Sequence, residues 1–250
     1  MHVIIANFSD DSIALIQWAS KKNLPNLHIL YVDTRWSACY WYKRLELVQN
    51  WTNSLNIPLH ILKPKQGFEA LVIARKQFPS IRFQWCPGLL KGIPILNWLE
   101  ENDDDETATI LLPHRRSMSK SQDVLEEFVY ESEHYDERTL WHPLYQHSIS
   151  DRDSLIKKTP IPLLNHRSLE CQPCIFSTNK DLVNLEVEDI QKVKSLEDKI
   201  QQSMFNPNDY DNAQSIDKVV STLKQSPLVD DENYYDQFAQ GCAWPYGCGL

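Results

Sequence analysis

The sequence predicts an α/β fold: a doubly wound, mainly parallel sheet followed by a mostly helical, cysteine-bearing C-terminal extension. Three observations predict it. Strand-length apolar runs alternate with helix-length segments over residues 1–140, which implies a parallel sheet covered on both faces. The first run, "HVIIA", passes through the polar turn "NFSDD" directly into an apolar helical pattern. Over residues 141–250 the alternation fades into prolines, a Cys-x-x-Cys pair and long polar helices, so this part reads as an extension packed on the sheet domain.

Taken in order, strands are expected at residues 3–6, 28–32, 58–62 and 109–112, where continuous apolar runs suit strands buried on both faces. Helices are expected at 11–22, 38–55, 67–77 and 92–101. Within the second helix, "RWSACYWYKR" places Trp41, Leu45 and Val48 on one face and Tyr40, Lys43 and Arg44 elsewhere. Core packing with snorkelling bases is the favoured reading of that stretch, and base stacking the alternative. Cys39 there is expected to be a buried core thiol. The acidic run "EENDDDE", residues 100–106, reads as a solvated loop before the fourth strand. A late helix at 186–205 carries Val187, Ile190, Val193, Leu196 and Ile200 on one stripe, for packing on the core or against a partner helix. Residues 206–214 read as a loop, and 227–236 as a polar approach to the tail.

Composition limits the function classes. The chain has 250 residues, 42% of them hydrophobic, enough for a core of this size. A formal charge of −9 argues against a nucleic-acid coat with a broad basic face but leaves room for a local basic pocket. No apolar span of membrane length occurs, and Met1 leads straight into the first strand without a leader pattern, so a cytoplasmic protein is expected. In that compartment the six cysteines are not expected to form a disulfide framework.

In such a sheet the ligand sits beyond the carboxyl ends of the strands. Those ends are residues 7–12, 33–35, 63–65 and 114–116. Arg35, Lys63, Lys65, Arg115 and Arg116 gather there beside a helix N-terminus, an environment for an anion such as a nucleotide polyphosphate. Lysines in such loops are ordinary polar surface; paired arginines are the usual fork-shaped phosphate grip.

"ANFSDDSIAL" stands where the adenine nucleotide α-hydrolase superfamily has its PP-loop, Ser-Gly-Gly-x-Asp-Ser before an apolar helix. Asn7 takes the leading serine, Phe8 and Ser9 the two glycines, and Asp10 the variable position, while Asp11 and Ser12 match the closing Asp-Ser. "YVDTRW" resembles the family's Tyr/Phe-x-Asp-Thr-Gly segment, with Arg35 at the glycine, and "FQWCPGLLKGIPILNWL" and "PHRRSMS" resemble its Cys…Leu-Lys and Arg-Arg segments. "LWHPLYQHSISDRDSLI" and "HRSLECQPCIFSTNKDLVNL" are similar to the corresponding stretches of phosphoadenosine phosphosulfate (PAPS) reductase-like proteins. The match spans most of residues 3–190, near the PAPS reductases and the ATP pyrophosphatases of DNA phosphorothioation.

The resemblance implies a nucleotide-binding enzyme of sulfur chemistry, either an ATP pyrophosphatase or sulfurtransferase or a phosphoadenylyl-sulfate reductase. Its ligand would be ATP or PAPS, with Mg²⁺ as a companion. Asn7, Phe8, Ser9, Asp10, Asp33, Thr34 and Lys91 would bind it, and Asp11, Ser12, Arg115, Arg116 and the tail thiol of Cys248 would act on it. By residue type alone, the Cys171–Cys174 pair is ambiguous between metal ligands and a redox dithiol. The resemblance brings Cys86 near that pair. With Cys242 or Cys248 as the fourth ligand, Cys86, Cys171 and Cys174 would hold a [4Fe–4S] cluster, or zinc. Phe8 and Ser9 narrow the phosphate seat and Asp10 adds negative charge beside it. A PP-loop scaffold acting in a nucleic-acid-modification complex is therefore the competing class. A sulfur-donor protein and a homo-oligomer are the other partners considered, and no membrane is expected.

Overall fold

The computed structural model describes residues 1–116 and 125–225. Six strands form one sheet in the order β3-β2-β1-β4-β6-β5. They are β1 (His2–Ala6), β2 (Leu27–Val32), β3 (Leu59–Leu62), β4 (Thr109–Leu111), β5 (Phe128–Val129) and β6 (Thr139–Trp141). All neighbours are parallel except β5 against β6. β1 lies between β2 and β4, with Ile4 opposite Ile29 on one side and Leu111 on the other.

The period of two in each strand divides the core. Ile4, Ala6, Ile29, Tyr31 and Leu111 pack with α1 (Asp10–Lys22) and α2 (Tyr42–Ser54) on one face. Val3, Ile5, Leu30, Val32, Ile110 and Leu140 pack with α4 (Ile93–Asn102) on the other. The chain thus winds outward from β1 to β3, crosses beneath the sheet through α3 (Phe68–Arg75) and a π-helical turn (Pro87–Gly92), and returns at β4. The gap between the carboxyl ends of β1 and β4 is the topological switch point.

The extension supplies α5 (Ile149–Ile156), α6 (Asn179–Val183), α7 (Val187–Ile200) and α8 (Ile216–Gln225). Capping boxes, Ser148 with Asp151 and Thr178 with Asp181, start α5 and α6. α5 packs on α1, while α6, α7 and α8 close a third apolar cluster with Trp36, Phe68, Trp85 and Leu90.

The four expected strands and the first four helices are present, with ends shifted by a few residues. The second helix begins at Tyr42 rather than 38, because residues 36–38 are drawn into pairing with the extension: Trp36 bridges Cys171 and Ala38 N–H donates to Leu169 O at 2.9 Å. Cys39 in that segment is exposed, correcting the expectation of a core thiol. β5 and β6 add to the sheet edge where the sequence shows no strand pattern. They are only two and three residues long, too short for periodicity to register.

Candidate functional site

The loop after β1 is built around its helix start. Ser9 caps α1, its hydroxyl accepting from Ser12 N–H at 3.4 Å, while Ser9 N–H donates to Asn7 Oδ1 at 3.0 Å. Ser12 Oγ donates to Ser9 O at 3.1 Å. Phe8 has φ 55°, the left-handed conformation that glycine adopts without a side-chain penalty. Arg35, after β2, has φ 56°. Both residues stand at positions where the resemblance implies glycine, and both have the left-handed backbone that glycine favours. Phe8 offsets the strain by full burial and by stacking on Tyr31, ring centroids 4.6 Å apart.

Residues 7–12 are all buried, and three arginines converge on their two carboxylates. Arg115 Nε, from the loop after β4, donates to Asp11 Oδ1 at 2.6 Å. Arg152, from α5, places Nη1 3.5 Å from Asp11 Oδ2. Arg44, from α2, donates to Phe8 O at 2.7 Å and Pro162 O at 2.9 Å and pairs with Asp10 at 3.3 Å. Leu164 N–H also donates to both Asp10 oxygens, at 3.1 and 3.2 Å. Asp10 is therefore committed to Arg44 of α2 and to Leu164 N–H of the extension, which answers the excess negative charge read from the loop. Burial pushes its carboxyl up from the usual range, against the Leu164 N–H and the arginines. Burial also lowers Arg44 to about 10, with Asp10 opposing.

The extension crosses the strand ends at residues 162–172. Ser168 Oγ donates to Asn7 O at 2.7 Å, Thr34 Oγ1 donates to Glu170 O at 3.0 Å, and Gln172 N–H donates to Trp36 O at 2.8 Å. Glu170 forms a buried ion pair with Lys91 from the π-helical turn. Burial and the nearby Glu170 charge hold the Tyr31 phenol well above its ordinary range.

This docking carries the Cys-x-x-Cys segment to the same end of the sheet. Cys86, Cys171 and Cys174, with Thr34, Lys91 and Glu170, line one cavity of about 30 Å³. Thr34 Oγ1 and Cys171 Sγ are 3.5 Å apart. The thiols suit a cluster or zinc by donor type, but the cavity has room for a water or two, and no three His, Cys, Asp or Glu among the described residues are placed to hold a metal. Cys242 and Cys248 lie outside the described residues.

Of the other predicted site residues, Ser12 and Thr34 are buried, and Asp33 Oδ1 accepts from Arg35 N–H at 2.9 Å. The Arg116 side chain is exposed while its N–H donates to Tyr145 O at 2.9 Å. Sequence reasoning missed Arg44, Arg152, Tyr31, Ser168 and Glu170. Arg152 sits between two aspartates in "SDRDS", a pattern that reads as a solvated face, and Arg44 was placed away from the core stripe. Glu170 had one signal, its position immediately before Cys171.

A doubly wound sheet with cationic loops meeting at the β1–β4 switch point belongs to the class of open α/β proteins that place a ligand beyond the carboxyl ends of their strands. Residues 1–185 match the phosphoadenosine phosphosulfate reductase domain family, and the chain belongs to that family. No curated protein matches the sequence. Among solved structures it is similar to phosphoadenylyl-sulfate reductase from Candida auris in a phosphate complex (19% identity, TM-score 0.45, 65% of this chain and 74% of that one). It is also similar to the U34-tRNA thiolase NcsA from Methanococcus maripaludis with its [4Fe–4S] cluster (12%, 0.44, 92% and 74%). Among the described residues no helix is long and apolar enough to cross a membrane.

Proposed function

We propose that this protein binds an adenine nucleotide at the switch point and activates its α-phosphate or its sulfonate, with sulfur handled by the adjacent cysteines. The observation that carries the reading is the Arg115–Asp11 pair, which ties the loop after β4 to the first turn of α1 within the family-matched region. Arg115 and Lys91 are suited to neutralise charge developing at phosphorus or sulfur. Asp11 holds Arg115 in place, and Thr34 and Asp33 shape the loop after β2. With ATP, attack of an acceptor on the α-phosphorus would release pyrophosphate; with PAPS, attack of a thiolate on the sulfonate sulfur would release adenosine 3′,5′-bisphosphate. Cys248 is the proposed attacking thiol of the second route. Cys86, Cys171 and Cys174 share one cavity but do not stand in a metal-holding arrangement, so a [4Fe–4S] cluster or zinc there would require them to draw together and a fourth donor from Cys242 or Cys248, and no step above is routed through it.

Titration of the full chain with ATP and with PAPS, beside Asp11→Ala and Arg115→Ala, tests the reading. Binding of one nucleotide, weakened tenfold or more in both variants, is the expected result, with release of pyrophosphate, or of adenosine 3′,5′-bisphosphate followed by sulfite on addition of a dithiol reductant, identifying the reaction. No binding and no release would overturn it. Iron and acid-labile sulfide in near-equal amounts, lost on Cys171→Ala, would add the cluster; zinc would make the cysteines structural.

The burial of residues 7–12 and the filling of both glycine positions favour a second reading, a non-catalytic PP-loop scaffold in a nucleic-acid-modification complex. A scaffold shows no nucleotide-dependent change in the same titration.

A further inference from the structure

Arg152 is a cation at the first turn of α1 that comes from neither strand-end loop. It is carried by α5, and its side chain is only 10% exposed. Nε and Nη2 both reach Asp153 Oδ1, at 2.8 and 2.7 Å, so the neighbouring carboxylate clamps one edge of the guanidinium. The other edge faces Asp11. Nη1 stands 3.5 Å from Oδ2, an ion-pair distance outside the 2.7–3.2 Å range of a good N–H···O bond, and Nη1 makes no hydrogen bond among the described residues. A guanidinium has five N–H donors, and Nη1 is not one of the fully buried donors left without a partner, so it can still reach an added acceptor. Donor capacity is thus left over beside a carboxylate whose other oxygen is already held by Arg115 at 2.6 Å.

A tetrahedral oxyanion offers this edge of the guanidinium more acceptor oxygens than the carboxylate that now faces it. Three of its oxygens can meet separate N–H groups, whereas Asp11 offers two and has given one to Arg115. Because Asp153 fixes the guanidinium from behind, Nη1 can engage an anion without ordering a long, free side chain.

We infer that Arg152 is a further anion-binding residue of the nucleotide site, offering Nη1 to a phosphate or sulfate group at the first turn of α1, with Asp153 as its positioning residue. This inference rests on the nucleotide reading above and assigns one anionic contact of that ligand to the extension. The phosphates of ATP and the sulfate or phosphates of PAPS share the required chemistry.

The test is calorimetric titration of the full chain with ATP, PAPS, pyrophosphate and inorganic sulfate at low and high salt, for the wild type, Arg152→Gln, Arg152→Lys and Asp153→Asn. Arg152→Gln is expected to weaken the preferred nucleotide about tenfold or more and to make the remaining affinity less salt-sensitive, a readout that loss of helix packing does not produce. Arg152→Lys is expected to fall between, keeping the charge but not the fork. Asp153→Asn is expected to tighten binding a few-fold at low salt by leaving the guanidinium less compensated. Pyrophosphate or sulfate binding that weakens in parallel identifies which anion Arg152 takes. A folded Arg152→Gln with wild-type affinity and salt dependence overturns the inference and leaves the nucleotide reading standing. If that variant does not fold, unchanged affinity and salt dependence in Asp153→Asn overturns it. A wild type that binds none of the four probes overturns both.

Discussion

Phe8 lies flat against Tyr31, planes within 5° and centroids 4.6 Å apart, while its own backbone sits at φ 55°. A bulky residue holds a glycine-type turn because its ring is fully buried. Restoring glycine relieves backbone strain of about 1 kcal/mol but removes a core ring worth about 3–5 kcal/mol. Phe8→Gly is therefore expected to lower unfolding stability by about 2–4 kcal/mol in urea titration; an unchanged or raised midpoint would show that the ring contributes little.

Gly67, which caps α3, is constrained by Arg35. A Cβ added at Gly67 would stand 3.1 Å from Arg35 Cβ, an atom fixed to a backbone at φ 56°. Gly67→Ala should cost about 1 kcal/mol alone. Arg35→Gly should remove the clash, so that the two substitutions together cost less than their sum. A double-mutant cycle with no coupling would contradict the contact.

Burial holds His114 near a pKa of about 3, with His142 beside it, and burial holds His142 near about 4 against its hydrogen bond to Glu126 O. The folded state thus favours the neutral rings. Their contribution is fully present above the ordinary histidine pKa of about 6.5 and is lost progressively as pH falls towards 4. Asp10, Asp189 and Glu197, held above their ordinary values by burial, act with the opposite sign, adding stability as pH falls from their raised values to the ordinary carboxylate range. Denaturant midpoints are therefore expected to fall between pH 6.5 and 5. A flat profile over that window would show that the two rings titrate normally.

The buried Lys91–Glu170 pair predicts strong coupling. Lys91→Met leaves the Glu170 carboxylate without its cation and should cost about 3 kcal/mol or more. Adding Glu170→Gln should recover most of that stability. Additive losses would place the two residues outside one electrostatic unit.

How far the sequence reached can be followed residue by residue. "VIIA", "HILYV" and the runs near 59 and 109 were legible as strands because burial on both faces leaves an uninterrupted apolar signal. Asp11 and Arg115, 104 residues apart, both stand out in the sequence because both follow strands and match family segments; their contact is not legible there. Arg44 and Arg152 were missed because a charged residue on a helix is ordinarily solvated, and nothing local records that another segment will bury it.

The sequence by itself determined the parallel sheet, the loops at its strand ends and the family to which residues 1–185 belong, since each rests on local pattern and chain order. Only the tertiary structure decided how the charges pair. Asp10 went to Arg44 and Leu164, Asp11 to Arg115 and Arg152, and Lys91 to Glu170. The physical reason is burial. A charge taken out of water must find a partner in space, and for these loops the extension supplies several of those partners, from segments that sequence spacing cannot bring together.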